Sequence, residues 1–275
     1  MAAERRTMVQ YAIERHGLSE RRACRLFAIS RTLYRYQPQV KNDEPLETKL
    51  KELAELYPRW GFRKMKDWLR NKGYGWNHKR IYRVYCQLNL NLRTKPKKRL
   101  PVRHPKPLIP PAEPHQAWAL DFMSDSLQSG QRFRTLNIID EFNRELLWIE
   151  IDTSLPARRV VRILDQVAQW YGYPQQLRLD NGPELIAQAL SNWASQHKLT
   201  LGFIEPGCPA QNAYIERFNR TYREDVLDMY LFRTLDEVRL ITEHWTYLYN
   251  AERPHDALDG LSPYDYAEAK CNSLC

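Results

Sequence analysis

The residues of this chain best suited to chemistry are three acids, Asp121, Asp180 and Glu216. Asp121 interrupts an apolar, strand-like run, AWALDFMSD. Asp180 ends a second apolar run, LRLD, and is followed by an Asn181-Gly182 turn. Glu216 lies in a helical stretch, NAYIERFNRTYRED, and 35 residues separate it from Asp180. An ionised carboxylate inside an apolar strand is costly unless something compensates it. A divalent cation is the usual compensation, and hard oxygen donors suit magnesium. Three such carboxylates on two strands and a helix make a site able to hold two magnesium ions for phosphoryl transfer on nucleic acid.

Each acid alone has an ordinary explanation. Asp121 can cap a turn at a strand end, Asp180 can be a turn residue, and Glu216 can pair with Arg220 one helical turn on. Together they favour a site. Ile215, Phe218, Tyr222 and Val226 form an apolar stripe, leaving Asn212, Glu216, Asn219, Arg220 and Arg223 on a polar one. That face turns a carboxylate, two amides and two guanidiniums the same way, as a metal beside a phosphate backbone requires.

The elements that must position these groups begin near residue 116. Strands are expected at 117–123, 132–140 and 145–151, a helix at 156–172 with Pro156 at its start, and a strand at 176–180. A helix at 183–197, a strand at 200–205 and a helix at about 212–229 follow. Thr234 and Glu237 form a capping box for a last long helix ending near Asn250. Three strands in a row and then alternation predict a mixed α/β sheet with helices on its faces. The catalytic core is set at 116–232 and a helical tail at 233–275.

The front of the chain is different. The net charge of +9 divides into +18 over residues 1–110 and −9 over the rest. A basic front half suits a polyanion, because Lys and Arg neutralise phosphates and release counterions. Residues 1–40 read as three short helices with Ser19 and Ser30 as N-caps, a helix-turn-helix-like module offering Arg31 and Arg35 to DNA. An ordinary basic three-helix bundle fits that pattern equally. Residues 41–92 form a second helical module, in which Asn77 caps a helix carrying Lys79, Arg80 and Arg83. Residues 93–115 hold seven Pro and seven Lys or Arg, including Lys97, Lys98 and Arg99, and read as a stiff basic linker along DNA.

With 275 residues and 43% hydrophobic content the chain is globular. Its start is too charged for a signal peptide, and no apolar run approaches a membrane span, so no membrane role is expected. The five cysteines are scattered without a C-x-x-C spacing, which suits reduced thiols in the cytoplasm and gives no zinc site.

The motifs together resemble the integrase-core transposases of bacterial insertion sequences, in the insertion-sequence-three family, as its second-reading-frame catalytic subunit. The resemblance rests on WALDF around Asp121, LDNGPEL around Asp180, PAQNAYIERFNRTYRED around Glu216 with Arg223 seven residues on, and the tail YNAERPHDALDGLSPYDY. The head, GLSERRACRLFAISRTLYRY, is similar to the family's amino-terminal helices. It implies an RNase H-like fold, DDE chemistry of strand cleavage and strand transfer, and two magnesium ions with manganese able to substitute. Asp121 would bridge both ions, while Asp180 and Glu216 each hold one. Asn219, Arg220 and Arg223 would contact DNA, and Arg253 and His255 would be structural or DNA-contacting. Implied partners are the element's terminal inverted repeats, target DNA, further copies of the chain on those ends, and the upstream-frame protein, separate or fused. A non-catalytic DNA-binding regulator, or a nuclease on the same fold, is the alternative.

Overall fold

The computed structural model describes residues 2–37, 42–93, 110–182, 184–205 and 209–272. Two compact units result, the first ending at Pro45 and the second running from Leu46 to Cys275. The first holds α1 (Ala2–His16), α2 (Glu20–Leu26) and α3 (Arg31–Arg35), closed over Val9, Ala12, Ala23, Cys24 and Ile29. Ser30 caps α3 by accepting from the Leu33 amide at 3.1 Å, whereas the Ser19 side chain makes no cap bond.

The second unit starts with α4 (Glu44–Leu56), α5 (Phe62–Asn71) and α6 (His78–Gln87) around Leu46, Leu50, Leu53, Trp60, Met65, Leu69, Ile81 and Val84. Asn77 caps α6 as expected, accepting from the Lys79 amide at 2.9 Å.

The sheet behind them has five strands: β1 (Ala117–Ser126), β2 (Arg132–Asp140), β3 (Leu146–Asp152), β4 (Gln176–Leu179) and β5 (Thr200–Phe203). Their order is β3-β2-β1-β4-β5, with β1, β2 and β3 antiparallel and β4 and β5 parallel to β1. This is the mixed sheet with helices on its faces expected from the sequence. Side chains alternate across each strand. Trp118, Leu120, Leu136, Ile138, Leu177 and Leu179 face α7 (Ala157–Tyr171) and α8 (Gln188–Gln196). Ala119, Met123, Phe133 and Ile139 face α9 (Ala213–Tyr222) and α10 (Leu235–Ala251). Fully burying each large side chain contributes about 1.5–3 kcal/mol, so both faces are firmly anchored.

Three expectations change. The helix expected from residue 183 starts at Gln188. The helix expected to run to residue 229 is α only to Tyr222 and continues as a π-turn over Arg223–Leu227. The strand expected at 200–205 ends at Phe203, and in the tail α10 buries Val238, Trp245 and Tyr249 in the α9 face of the sheet. The capping box does hold: the Thr234 hydroxyl accepts from Glu237 N at 3.2 Å, and the Glu237 carboxylate accepts from Arg233 N at 2.7 Å.

The second helical module is fastened to the tail. Trp68 Nε1 and Lys72 Nζ both reach Glu252, each at 2.8 Å. Arg70 and Asn71 donate to the carbonyls of Asp259 and Gly260, again at 2.8 Å each. Among the described residues no helix is long and apolar enough to cross a membrane. The linker residues Lys97, Lys98 and Arg99 lie outside the described residues, as do Cys208 and Cys275; Cys24, Cys86 and Cys271 are free thiols.

Candidate active site

Strand register brings two of the three acids together. β1 and β4 run parallel with Ala117 opposite Gln176, Trp118 opposite Leu177 and Ala119 opposite Arg178. Continued by two residues, past the end of β4 at Leu179, that register points Asp121 and Asp180 toward one another, and the charge of Asp180 acts on the Asp121 carboxyl. Alternation then decides the face. Leu120 and Leu179 point into the α7 side, so Asp121 and Asp180 turn to the side covered by α9. Helix α9 carries Glu216 there on its exposed face, while Ile215, Phe218 and Tyr222 are buried beneath it.

The electrostatics reflect this gathering. The Asp121 carboxyl is pushed up to about 6, first by burial and then by the negative charges of Asp180 and Glu216. Its ionised form keeps two hydrogen bonds, from Phe122 N to Oδ1 at 2.8 Å and from Asn219 Nδ2 to Oδ2 at 2.7 Å. Asp180 Oδ1 accepts from Gly182 N at 3.1 Å, which aligns it at the turn. Among the described residues no three Asp, Glu, His or Cys side chains are gathered tightly enough to cage an ion by themselves. The acids form an open cluster instead.

Asn219 takes a different role from the DNA contact the sequence suggests. It is buried, it donates to Asp121, and its Oδ1 accepts from Asn137 Nδ2 at 2.6 Å. Buried and bonded on both its nitrogen and its oxygen, Asn219 positions Asp121. Asn137 was missed at the sequence level, although a signal existed: it is a polar residue in an apolar strand, directly opposite Asp121 in the β1–β2 register.

The expected arginines are partly engaged. Arg223 opens the π-turn and donates to Asp125 Oδ2 at 3.1 Å and to the Ser124 carbonyl at 2.9 Å. Regular i, i+4, i+7 spacing from Glu216 therefore does not continue past it. Arg220 is exposed and pairs with Glu224 at 2.9 Å. Arg178, two residues before Asp180, is held by buried Glu141 at 2.6 Å and by the Gln211 carbonyl at 3.2 Å. Neither Arg178 nor Arg223 is thus at liberty to neutralise the acid cluster.

The front-half residues are distributed as follows. Arg31 is exposed, and Arg35 is bound to both oxygens of Glu20 at 3.0 and 3.1 Å, so its expected contact with DNA competes with an ion pair. Lys79 is exposed on α6, and Arg83 donates to Gln87 at 3.1 Å. Arg253 is buried and paired with Asp225, and the His255 amide donates to the Leu261 carbonyl at 3.0 Å.

Known proteins agree with this architecture. The integrase core domain family matches residues 111–209, a second version of it matches 197–263, and an HTH-like domain family matches 41–99. The last match falls on the second helical module. An uncharacterised 39.2 kDa protein of insertion element IS476 from Xanthomonas euvesicatoria is 38% identical over 264 residues, covering 96% of this chain and 76% of that one. An uncharacterised 31.7 kDa protein of insertion element IS407 from Burkholderia multivorans is 38% identical, covering 92% of both chains. The putative transposase InsK of element IS150 from Escherichia coli is 24% identical, covering 85% of this chain and 87% of that one. With the integrase-core sheet and the HTH-like helices both in place, the chain belongs to the insertion-sequence-three family of insertion-element transposases, of the second-reading-frame type.

Proposed function

We propose that this chain is a DDE polynucleotidyl transferase that cleaves DNA strands at the ends of an insertion sequence and joins them to target DNA. The observation that carries the reading is that the charges of both Asp180, just past the end of β4, and Glu216 of α9 act on the half-buried Asp121 of β1. Three carboxylates with no free cation supplied by Arg178 or Arg223 form a hard-oxygen donor set. Its openness suits magnesium, which is usually held by one or two carboxylates together with substrate phosphates and waters. Asp121 would hold two ions jointly, Asp180 one and Glu216 the other, with manganese able to substitute. When bound, such ions activate a water or a DNA 3′-hydroxyl as nucleophile and stabilise the leaving oxygen.

The chain's own residues do the rest. Asn219 and the Phe122 amide fix the Asp121 carboxylate and favour its ionised form against burial. Asn137 fixes Asn219 in turn. The Gly182 amide fixes Asp180 at the strand end. Exposed Arg220, and Arg223 if released from Asp125, offer guanidiniums to the phosphates flanking the reacting one. Basic residues of α3 and α6 would hold the element ends, and several copies of the chain, with or without the upstream-frame protein, would assemble on them.

The test uses the full chain, oligonucleotides carrying the element ends, and magnesium. Asp180→Asn and Glu216→Gln keep side-chain volume while removing a ligand charge. Each is expected to abolish cleavage and joining while DNA binding survives. Joining at near wild-type rate in either variant refutes the role of that acid.

A further inference from the structure

A second cluster of charge lies on the other flank of α9. Arg217 follows Glu216 directly, and with Tyr214 and Thr221 it lines a cavity of about 270 Å³. The remaining wall comes from three other places: Lys64 of α5, Arg144 of the β2–β3 turn, and Arg253 and His255 of the tail. Four cations therefore converge from four separate segments. Two carboxylates answer them: Asp225 offsets Arg253, which leaves Arg217, Lys64 and Arg144 against Asp256. Asp256 is exposed at the rim. Glu141, near Arg144 in the chain, is consumed by Arg178.

Two polar atoms on this wall are buried without a hydrogen-bond partner, Arg144 Nη1 and His255 Nε2. Such atoms normally find partners in native proteins, and each one left unpaired is costly. Arg144 is held for its task. Its φ of 63° is a left-handed conformation that ordinarily selects Gly or Asn, and its guanidinium lies 3.3 Å from the centre of the Tyr214 ring. A long cation at a turn position that disfavours it is explained by what its side chain reaches. Burial, and after it the charge of Arg253, draws Lys64 down to about 7, as expected of an ammonium withdrawn from water.

We propose that this cavity binds a phosphate group of the DNA backbone, held by Arg144, Arg217 and Lys64, with the two unpaired nitrogens as donors. The guanidiniums supply forked donors for the oxygens of a tetrahedral anion. The assignment rests on the transposase reading for the source of the phosphate, but not for the site. Because Arg217 adjoins Glu216, the phosphate held here belongs to the same stretch of DNA that enters the acid cluster. Because Lys64 and Arg253 come from the helical module and the tail, one phosphate ties both to the core.

The test uses the full chain and the double variant Arg144→Gln/Arg217→Gln, with Lys64→Met as an independent second variant should the first not fold. Thermal melting is followed in sodium pyrophosphate against sodium chloride at matched ionic strength. Binding of a short duplex is followed across a salt series. The expected result is that pyrophosphate raises the wild-type melting temperature, that the variants lose this rise, and that the slope of log affinity against log salt falls by about 1 in the variants. Loss of the pyrophosphate effect with an unchanged DNA slope overturns the DNA assignment and leaves a pocket for a free phosphate compound. An unchanged slope with no pyrophosphate effect in the wild type overturns the site altogether. An Asp121→Asn protein that loses joining but keeps the pyrophosphate effect separates this site from the acid cluster.

Discussion

Replacing Asp121 with Asn is expected to make the metal-free protein more stable at neutral pH and not at acid pH. Folding raises the Asp121 carboxyl from 3.8 to about 6. At about 1.4 kcal/mol per unit, holding it ionised in the folded state costs roughly 3 kcal/mol. The sign follows from linkage: a carboxyl raised by folding favours the folded state fully below its unfolded value. That advantage is lost as pH climbs from about 4 through about 6, and the loss is complete above. Asparagine carries no charge and escapes the loss. It also has one oxygen where aspartate offered two to Phe122 N and Asn219 Nδ2, so one donor is orphaned at about 1 kcal/mol. The net gain at pH 7.5 is then about 1–2 kcal/mol, or roughly 2–8 °C in the melting transition of the core. Scanning calorimetry in chelator at pH 7.5 and 4.5 reads it. Saturating magnesium should reverse the order, since binding at 100 times Kd stabilises the wild type by about 2.7 kcal/mol. An Asn variant destabilised equally at both pH values would refute the reasoning, because the carboxylate would then not be strained by its neighbours.

Asn219→Ala removes a donor from Asp121 and strands Asn137, so joining should fall about 10- to 100-fold. Its pH–rate profile should move to higher pH, measured with magnesium across pH 5.5–8.5. Arg223→Glu replaces two hydrogen bonds with repulsion from Asp125 and Asp228. It should destabilise the fold by about 1–2 kcal/mol in urea titration as well as weakening DNA binding. Gly260→Ala should cost about 1–3 kcal/mol in the same titration. The residue sits at φ +78°, and an added Cβ would come within 2.9 Å of Arg70 Nη2 and Asp67 Cγ.

What the sequence revealed, and what it hid, follows from the range of each signal. Strand alternation and the apolar stripe of α9 are local, so β2 lay where expected and Ile215, Phe218, Tyr222 and Val226 are all buried. The acids were legible because a charge in WALDF contradicts its surroundings. Asn219 was misassigned because helical spacing gives the side of a helix but not what lies across from it. Only the pairing of β1 with β2 puts Asn137 there. The π-turn has no period of its own and was invisible, so the bonds of Arg223 to Asp125 and Ser124 could not be read from helical spacing. The fastening of α5 to the tail joins residues 180 and 184 positions apart, beyond any local pattern.

That fastening makes the molecule a gauge. With Trp68 and Lys72 on Glu252, and Arg70 and Asn71 on the 259–260 turn, α5 cannot slide or pivot against the tail without breaking four bonds at once. The tail is itself buried against the sheet that carries Asp121. On the proposed reading, DNA held by α6 would sit at a set interval from the acids, counted in fixed protein length and not in slack chain. An extra base pair between a sequence so held and the proposed cut would shift the reacting bond along the duplex axis by about 3.4 Å, which four hydrogen bonds between α5 and the tail would have to yield to absorb.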